Sequence, residues 1–298
     1  MRNEPDALRH ITQDLVQLRA ERPVRLAPMP VLHDVAWHDH CYYELCIILE
    51  GRTRHLDGRG EQLLRAGTVI VMPPGLAHAF RDPVGLKVVN CYYLAEWLLT
   101  DLRNLWDEDG LAELFLSAAL FRRPELHVPL HLELAPEVFQ ACRHELNDLE
   151  AELKRPRPAL AFLKSCFVKF LTRLCRSRYA DLPGEQRTFD PRVQAALRSV
   201  EEWLQRGETF SLERLSAVAG VSADRFGRIF REATGWAPTD YFQRRRVQWS
   251  CSLLLNTRLP VTGIALALNY ADAAHFCRLF KRHQKMTPTL YRKRHGAG

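Results

Sequence analysis

The sequence predicts an α+β chain of several parts: an antiparallel β barrel, a helical segment, and an all-α third built from two helix-turn-helix units joined by a long helix. Turn signals such as LDGRG and MPPG separate short β-type runs between residues 24 and 94, which is typical of a small antiparallel barrel. From residue 95 apolar residues recur at three- and four-residue spacing, which predicts amphipathic helices. The last third repeats itself, which indicates two copies of one unit.

The composition changes along the chain set the predicted boundaries. The β-type runs are YELCIILEG, TVIVMP and LKVVNCYYL, and the stretch DLPGEQRTFDP is polar, contains Pro and Gly and has no periodicity, as expected of a linker. The predicted domains are an N-terminal domain (1–180) with its barrel (about 24–95) and helical segment (96–180), a linker (181–190) and a C-terminal domain (191–298).

The composition limits the class of protein. The chain has 298 residues, and 47% of them are hydrophobic, so it has enough apolar side chains for a sizeable core. No stretch has the 18 consecutive apolar residues of a membrane helix, and the charged N-terminus lacks the apolar run of a signal peptide. We therefore expect a cytoplasmic protein with no membrane partner. The eight cysteines form no C-x-x-C pair and are expected to be small buried side chains.

The positive charge lies in one part of the chain. Residues 181–298 hold 19 Lys and Arg against 11 Asp and Glu, a net charge of +8, whereas the first 180 residues have a net charge of −1. This asymmetry favours a polyanion as the partner of the C-terminal part. A solvated basic helix is the ordinary alternative for each basic segment taken alone.

The repeat aligns two segments of similar pattern. The first, LSAVAGVSADRFGRIFREATGWAP (215–238), resembles IALALNYADAAHFCRLFKRHQKMTP (264–288), with Phe226 opposite Phe276. Each copy predicts a short helix, a turn and a longer helix, the helix-turn-helix arrangement. The predicted units are residues 211–234 and 261–283.

Specific residue types mark the turns of both units. Gly220 in the first copy and Asn269 in the second are residues that tolerate a positive φ. Ser222 and Asp272 follow where helix N-caps are expected. The phenylalanines of each longer helix are predicted to face the core, which leaves an outward face.

That outward face carries arginine in both copies. Arginine bridges the O6 and N7 acceptors of guanine in the major groove, and two copies at one offset in the basic third favour base readout over an ordinary solvated face. The predicted base-edge residues are Asp224, Arg225 and Arg228 in the first copy, and Ala274, His275 and Arg278 in the second.

An uninterrupted helical pattern joins the two units. Residues 239–257 predict a helix of roughly 28 Å, close to the ~34 Å between successive major-groove faces. Such a helix would hold both outward faces on one side of a DNA duplex. Near its start, Arg244, Arg245 and Arg246 suit either phosphates or intramolecular carboxylates, and the sequence does not separate these alternatives.

Residues 190–295 resemble the AraC/XylS family of bacterial transcription regulators. The resemblance rests on SLERLSAVAGVSADRFGRIFREATG, the central helix, and VTGIALALNYADAAHFCRLFKRHQKMTPTLYR. The family usually has Gly-Phe at Asn269–Tyr270 and Gly at Lys285. The resemblance implies double-stranded DNA as partner, two recognition helices in adjacent major grooves, and contact with RNA polymerase for an activator.

The stretch WHDHCYYELCIILEG gathers polar side chains on one predicted strand face. Alternation along a strand places His38, His40, Tyr42 and Glu44 together, and GTVIVMPPGLAH delivers His78 after a turn. These segments resemble the two cupin motifs. The matching positions are His38, His40, Glu44 and Gly51 in the first motif, and Gly67, Pro73, Gly75 and His78 in the second.

The resemblance to cupins leaves two alternatives for the pocket. In metal-binding cupins the positions of His38, His40, Glu44 and His78 hold a divalent transition metal, the candidate cofactor here, although none is required for regulation. Sensor domains of AraC-type regulators instead bind small effectors such as a sugar or a small acid. The predicted effector-binding residues are His38, His40, Tyr42, Glu44, His78, Arg54 and Tyr92.

The helices of residues 96–180 also have two interpretations. They cover one face of the barrel, or they form the pair of helices through which AraC-type regulators make a homodimer. The sequence therefore predicts a ligand-responsive, DNA-binding regulator, an activator of nearby catabolic or transport genes, with no catalytic residues. The alternative is a metal-dependent cupin enzyme fused to a DNA-binding module.

Overall fold

A computed structural model describes residues 8–19, 21–180 and 189–295, which fall into two compact units. Most of the predicted linker, residues 181–188, lies outside the described residues. The N-terminal unit contains the described residues up to 95, with 110–119 and 124–180; the C-terminal unit contains residues 96–109, 120–123 and 189–295.

Among the described residues, eight strands of the N-terminal unit form one sheet. Two long strands run through it, and they pair with each other over nearly their whole length. The strands are β1 (Arg9–Ile11), β2 (Val24–Val31), β3 (Val35–His40), β4 (Tyr43–Asp57), β5 (Gly60–Arg65), β6 (Thr68–Met72), β7 (His78–Tyr93) and β8 (Leu130–Glu133).

Strands β4 and β7 bend where their ladder shifts register. The shifts lie between Ile48 and Arg54, and bulges of this kind bend and twist a strand. Gly51 has φ +77°, and a Cβ there would collide with the backbone oxygens of Val84 and Gly85. Glycine is therefore required at position 51 for the two strands to approach each other.

The two halves of the bent sheet enclose one apolar core. Cys46 and Ile48 of β4 pack with Ile70 of β6 and with Phe80 and Val88 of β7. These side chains come from strand segments on both sides of the bend, so the halves face each other as in a barrel. The predicted antiparallel barrel is confirmed.

Two helices contact the outer face of β4 and β7 near one end, and a third helix packs against one of these two. The Tyr93 hydroxyl donates to Phe115 O at 2.7 Å, and the Tyr43 hydroxyl accepts from Ala119 N at 2.9 Å. The Tyr93 ring lies 5.0 Å from that of Phe167. The covering alternative drawn from the sequence is thus present, and dimerisation stays a prediction. The two helices in contact with the strands are α3 (Leu111–Leu120) and α5 (Leu160–Tyr179), and the helix that packs against α5 is α4 (Pro136–Leu153).

The predicted helical segment 96–180 is divided between the two units. Its first part forms α1 (Ala95–Leu98) and α2 (Leu102–Leu105). The Trp106 side chain is 1% exposed, and the backbone carbonyl of Trp106 accepts from Arg198 Nη2 at 2.5 Å. Residues 96–109 belong to the C-terminal unit, and the hydrogen bond from Arg198 is one of the contacts that tie them to it.

The C-terminal unit contains the predicted repeat. Pro238 and Pro288 stand at the first positions of equivalent helices, where proline costs no hydrogen bond. The helices are α6 (Pro191–Arg206), α7 (Leu212–Val218), α8 (Ala223–Thr234), α9 (Pro238–Asn256), α10 (Val261–Ala267), α11 (Ala273–Gln284) and α12 (Pro288–His295).

The turn residues of both helix-turn-helix units have the predicted conformations. Gly220 has φ +66° and Asn269 has φ +54°. Ser222 Oγ accepts from the backbone N–H of Arg225 at 3.4 Å, and Asp272 Oδ1 accepts from that of His275 at 2.6 Å. The predicted turns and N-caps are therefore confirmed.

The cores of both helix-turn-helix units contain the predicted phenylalanines. Phe226 and Phe230 of α8 and Phe276 and Phe280 of α11 are each 0% exposed. At the end of α11, Lys285 adopts φ +58°, a conformation that glycine would adopt without steric cost. Lys285, which stands where the AraC/XylS family usually has glycine, thus adopts the left-handed backbone conformation itself.

Candidate functional site

Two histidines of the predicted pocket meet across neighbouring strands. His38 of β3 pairs in register with His78, the first residue of β7. Their Nε2 atoms are 2.8 Å apart and their ring centroids 4.2 Å apart. The preceding turn docks here as well, because Gly75 N donates to His40 O at 2.8 Å. The two cupin-like segments therefore meet at His38 and His78.

The remaining two residues of the pocket form a second contact. His40 Nδ1 donates to Tyr42 O at 2.7 Å, so its Nε2 is unprotonated in the neutral ring. That atom lies 3.1 Å from Glu44 Oε2, and both side chains are nearly fully buried. The contact lacks hydrogen-bond geometry, which leaves His40 Nε2 as an unpaired buried acceptor among the described side chains.

Two further histidines extend this group toward the surface. His78 Nδ1 lies 3.2 Å from His55 Nε2, and His55 Nδ1 lies 3.0 Å from His131 Nε2. We call His38, His78, His55 and His131 the histidine chain. The histidine chain links β3, β7 and β4 to β8. It runs from the buried pocket to His131, which is half-buried.

One backbone carbonyl fixes every tautomer in the neutral histidine chain. His38 Nδ1 donates to Ala36 O at 2.9 Å, so His38 Nε2 must accept from His78 Nε2. His78 Nδ1 then accepts from His55 Nε2, and His55 Nδ1 accepts from His131 Nε2. The chain therefore presents the lone pair of His55 Nδ1 toward His131.

Burial keeps three of these imidazoles neutral. Burial lowers the pKa of His55 to about 4, and the neighbouring His131 adds to the shift. Burial, followed by the surrounding histidines, holds the pKa of His78 well below its ordinary value, and burial also lowers the pKa of His131. Neutral imidazoles are the form that binds metal ions.

The lowered pKa of His55 predicts that acid destabilises the N-terminal unit. An unfolded histidine binds a proton near pH 6.5 and folded His55 only near pH 4, so between these values the unfolded chain holds more protons. Stability present above about pH 6.5 is therefore lost as the pH falls toward 4, by roughly 1.4 kcal/mol per pH unit for one such group.

Differential scanning calorimetry of the full chain with a chelator, from pH 7.5 to 5.5, measures this loss. His55→Gln removes the titrating group and is expected to lower the pH dependence by about 1 kcal/mol per unit. His144→Ala, at an exposed position of the same unit, is the control and should leave the dependence unchanged. Equal dependence in wild type and His55→Gln would contradict the neutral, buried state of His55.

A cavity of about 420 Å³ opens at the outer end of the histidine chain. This volume is that of a site for a small ligand. Its polar lining comes from the end of β4, the following turn, the start of β5 and β8. The polar lining residues are His55, Asp57, Arg59, Glu61, Gln62 and His131.

This outer group is not among the site residues predicted from the sequence. The signal was present in the alternation of Thr53, His55 and Asp57, which places three polar side chains on one strand face; Thr53 and His55 are 0% and 1% exposed. Asp57 is also nearly buried, with its side chain 6% exposed. His131 is 76 residues further along the chain, so only the fold brings it to His55.

The other predicted effector residues have different positions. Tyr42 and Tyr92 pack against each other with ring centroids 5.2 Å apart, in a cluster with Leu18. Arg54 points to the outside, where it pairs with Glu61 at 2.8 Å and with Asp82. The structure thus brings the predicted histidines and Glu44 together, and it places Arg54 on the opposite face of β4 from His55.

The predicted metal ligands also fit a divalent transition ion. Ligand atoms of His38, Glu44 and His78 all lie within 4.8 Å of one another, and the unpaired His40 Nε2 faces the same carboxylate. Imidazole and carboxylate are ligands of iron, zinc, copper and nickel. The histidine chain is at the same time an internal network, so both alternatives drawn from the sequence have a structural basis.

In the C-terminal unit, α8 and α11 present the predicted outward faces. Asp224, Arg225 and Arg228 of α8 are exposed, and none of them packs in the core. In α11, Ala274 and Arg278 are exposed. His275 is half-buried, with its ring 6.0 Å from that of Tyr270. The outward faces are therefore equivalent in position, and each has an arginine in its middle.

The three consecutive arginines of α9 all have intramolecular contacts. Arg245 is 0% exposed and pairs with Glu201 at 2.7 Å. Arg246 lies over the Tyr270 ring at 3.7 Å and donates to Asn269 O. Arg244 lies 5.3 Å from the centroid of the Trp236 ring. Of the two alternatives drawn from the sequence, this geometry fits the intramolecular one for Arg245, which has no surface for a phosphate.

Comparisons with known proteins match both units. Residues 24–154 match the family model described as an AraC-like ligand binding domain, and residues 215–294 match one described as a helix-turn-helix domain. An uncharacterized HTH-type transcriptional regulator from Haemophilus influenzae is 33% identical over 104 residues, which cover 35% of this chain and 34% of that protein. The transcriptional activator RhaS of Enterobacter sp. is 25% identical over 274 residues, 91% of this chain and 92% of that protein.

Solved structures show a weaker similarity. The structure of ToxT from Vibrio cholerae aligns with 91% of this chain and 97% of its own, with 14% identity and a TM-score of 0.39. Among the described helices, none combines the length and the apolar character needed to cross a membrane.

Proposed function

This chain is a member of the AraC family of transcriptional regulators, and from that premise we propose that it activates nearby catabolic or transport genes when a small molecule binds its N-terminal unit. The chain is a ligand-responsive DNA-binding regulator and not an enzyme; its relatives include a transcriptional activator and an operon regulatory protein. The observation that carries the proposal is the repeat of α8 and α11, two capped helices with an arginine in the middle of each exposed face.

We assign base contacts to these two faces. The exposed side chains lie in the first two turns of each helix, the part of a recognition helix that reaches base edges. Arg228 and Arg278 are the guanine readers, because a guanidinium bridges two acceptors of one base. The remaining base-edge residues are Asp224, Arg225, Ala274 and His275.

The effector site is the cavity together with the histidine chain. The cavity volume of about 420 Å³ suits a sugar or a small acid, and its lining mixes hydrogen-bond donors and acceptors. His38, His40, Glu44 and His78 lie deeper, and they connect to the cavity wall through His55. Effector binding would change the population of arrangements in which both DNA-reading faces engage.

A homodimer acting in the cytoplasm completes the proposal. Helices α4 and α5 pack side by side, and Leu160 and Phe162 of α5 remain 39% and 46% exposed. Exposed apolar side chains on such a helix suit a contact with a second copy. Contact with RNA polymerase follows from the resemblance to activators of this family.

Footprinting of DNA upstream of the neighbouring genes tests the function. We expect protection of two segments about 10 base pairs apart, with an affinity that falls steeply between 50 and ~200 mM salt. Unrelated DNA of equal length is the control. Binding that is equally strong to unrelated DNA, or insensitive to salt, would contradict a sequence-specific regulator.

Thermal-shift screening with sugars, sugar acids and aromatic acids tests the effector. A ligand at 100 times its Kd should stabilise the chain by about 2.7 kcal/mol. The same ligand should change the footprint. A protein whose stability and footprint respond to no member of these classes would be a constitutive DNA binder, which contradicts the proposed sensor role.

A further inference from the structure

The outer end of the histidine chain gathers three side chains that the cupin motifs do not include. Ligand atoms of His55, Asp57 and His131 all lie within 4.8 Å of one another. We call these three residues the outer cluster. They belong to β4 and β8, and they form part of the cavity wall.

The distances in the outer cluster match those of ligands on one ion. His55 Nδ1 and His131 Nε2 are 3.0 Å apart, and their rings are inclined at 70°. Two imidazole nitrogens at ~2.0–2.1 Å from one metal ion lie about 3.0–3.4 Å apart for angles of roughly 95–110°. The two nitrogens therefore need little movement to share an ion.

The histidine chain prepares His55 for this role. Its Nε2–H donates to His78 Nδ1 at 3.2 Å, so the lone pair of His55 Nδ1 is directed at the outer cluster. Without an ion this lone pair accepts from His131 Nε2–H at 3.0 Å, and an ion would take its place once His131 carries its proton on Nδ1. Metal-bound histidines usually donate their other N–H to a fixed acceptor in this way. His78 thus orients the His55 ring and selects the tautomer that a metal requires.

Asp57 supplies the anionic ligand. Its Oδ1 accepts from the backbone N–H of Arg59 at 2.7 Å, and its Oδ2 lies 3.7 Å from the Arg59 guanidinium. These contacts hold the carboxylate in place, and the carboxylate keeps lone pairs for a further partner. The cavity on the other side leaves room for water or an effector group on the same ion.

We propose that His55, Asp57 and His131 form a binding site for a divalent transition-metal ion such as Zn²⁺ or Co²⁺, distinct from the pocket of His38, His40, Glu44 and His78. Two imidazoles and one carboxylate are a ligand set for these ions. The open positions face the cavity, where an acidic effector would complete the coordination. The metal site itself does not rest on the proposed DNA-binding function, because it is tested by metal binding alone.

Calorimetric titration of the chelator-treated full chain with Zn²⁺ tests the site, and the visible absorption of Co²⁺ reports its nitrogen ligands. We expect His131→Ala to weaken the binding of one ion by more than about 100-fold, because an entire ligand is lost. Asp57→Asn keeps the shape of the side chain and should weaken the same ion by at least ~10-fold. His144→Ala, at an exposed histidine of the same unit, is the matched control.

Glu44→Gln separates the outer cluster from the deeper pocket. It removes the carboxylate of the pocket, leaves the hydrogen bond of His38 to Ala36 intact, and should retain the ion that His131→Ala loses. Loss of that ion in Glu44→Gln, or its retention in both His131→Ala and Asp57→Asn, would overturn the proposal. Circular dichroism of each variant confirms that the sheet is folded.

Discussion

Replacing Glu201 with leucine is expected to destabilise the C-terminal unit by about 3–5 kcal/mol, because it leaves a buried arginine without its counter-ion. Arg245 and Glu201 are 0% and 1% exposed. Arg245 Nε donates to Glu201 Oε1 at 2.7 Å and Nη2 donates to Oε2 at 2.8 Å, a bidentate pair. This pair joins α9 to α6.

The guanidinium makes two further hydrogen bonds. Nη1 donates to Gln248 Oε1 at 2.6 Å, and Nη2 also donates to Leu99 O at 3.1 Å. Burial alone would lower the pKa of Arg245, but the charge of Glu201 outweighs it and raises the pKa. In the Glu201→Leu variant the arginine thus stays charged with no carboxylate beside it, which is the costly state.

Urea unfolding of the C-terminal unit within the full chain measures the effect. Glu202→Leu is the matched control, because Glu202 is the next residue and its pair with Arg103, at 3.3 Å, lies at the surface; its expected effect is below about 1 kcal/mol. Replacing both partners, Glu201→Leu with Arg245→Met, should recover most of the loss. Equal effects of Glu201→Leu and Glu202→Leu would show that the pair does not anchor α9.

Alanine at Arg228 and at Arg278 is expected to reduce operator affinity by about 1–3 kcal/mol each, and to relax base preference at one position each. Both side chains are exposed on the middle of their helices. Because α8 and α11 are equivalent helices of a repeat, the two affected positions should lie about 10 base pairs apart.

Selection from randomised operators, done with each variant, measures base preference and affinity together. Arg206→Ala is the control, since Arg206 is exposed at the end of α6 and pairs with Glu208 at 3.7 Å. A uniform loss of affinity with unchanged base preference would show that Arg228 and Arg278 contact phosphates and do not read bases.

Much of the C-terminal unit was predictable because its determinants are local. Ser222 and Asp272 cap helices through N–H groups three residues away, and Gly220 and Asn269 set turns through their own φ angles. The burial of Arg245 and its partners were not predictable, because Glu201 and Leu99 lie 44 and 146 residues away in the chain. A helical pattern shows which side chains share a face and does not show what covers that face.

In the N-terminal unit the same distinction separates the two clusters. His38, His40 and Glu44 lie within seven residues, so strand alternation predicted their proximity, even though the strand is interrupted between β3 and β4. The outer cluster depends on the pairing of β6 with both β4 and β8. No local pattern joins residues 57 and 131.

The histidine chain couples the binding of an ion at one of its ends to the binding of an ion at the other. Each N···N contact holds one proton, so all the N–H groups point in one direction at a time. An ion bound to His78 Nε2 would displace that proton to Nδ1, and the His55 Nε2–H would have to move to Nδ1, where it blocks the outer cluster. The two sites would then bind ions with negative cooperativity. An ion in the deeper pocket would lower the affinity of the outer cluster, and by thermodynamic reciprocity an ion in the outer cluster would lower the affinity of the pocket equally.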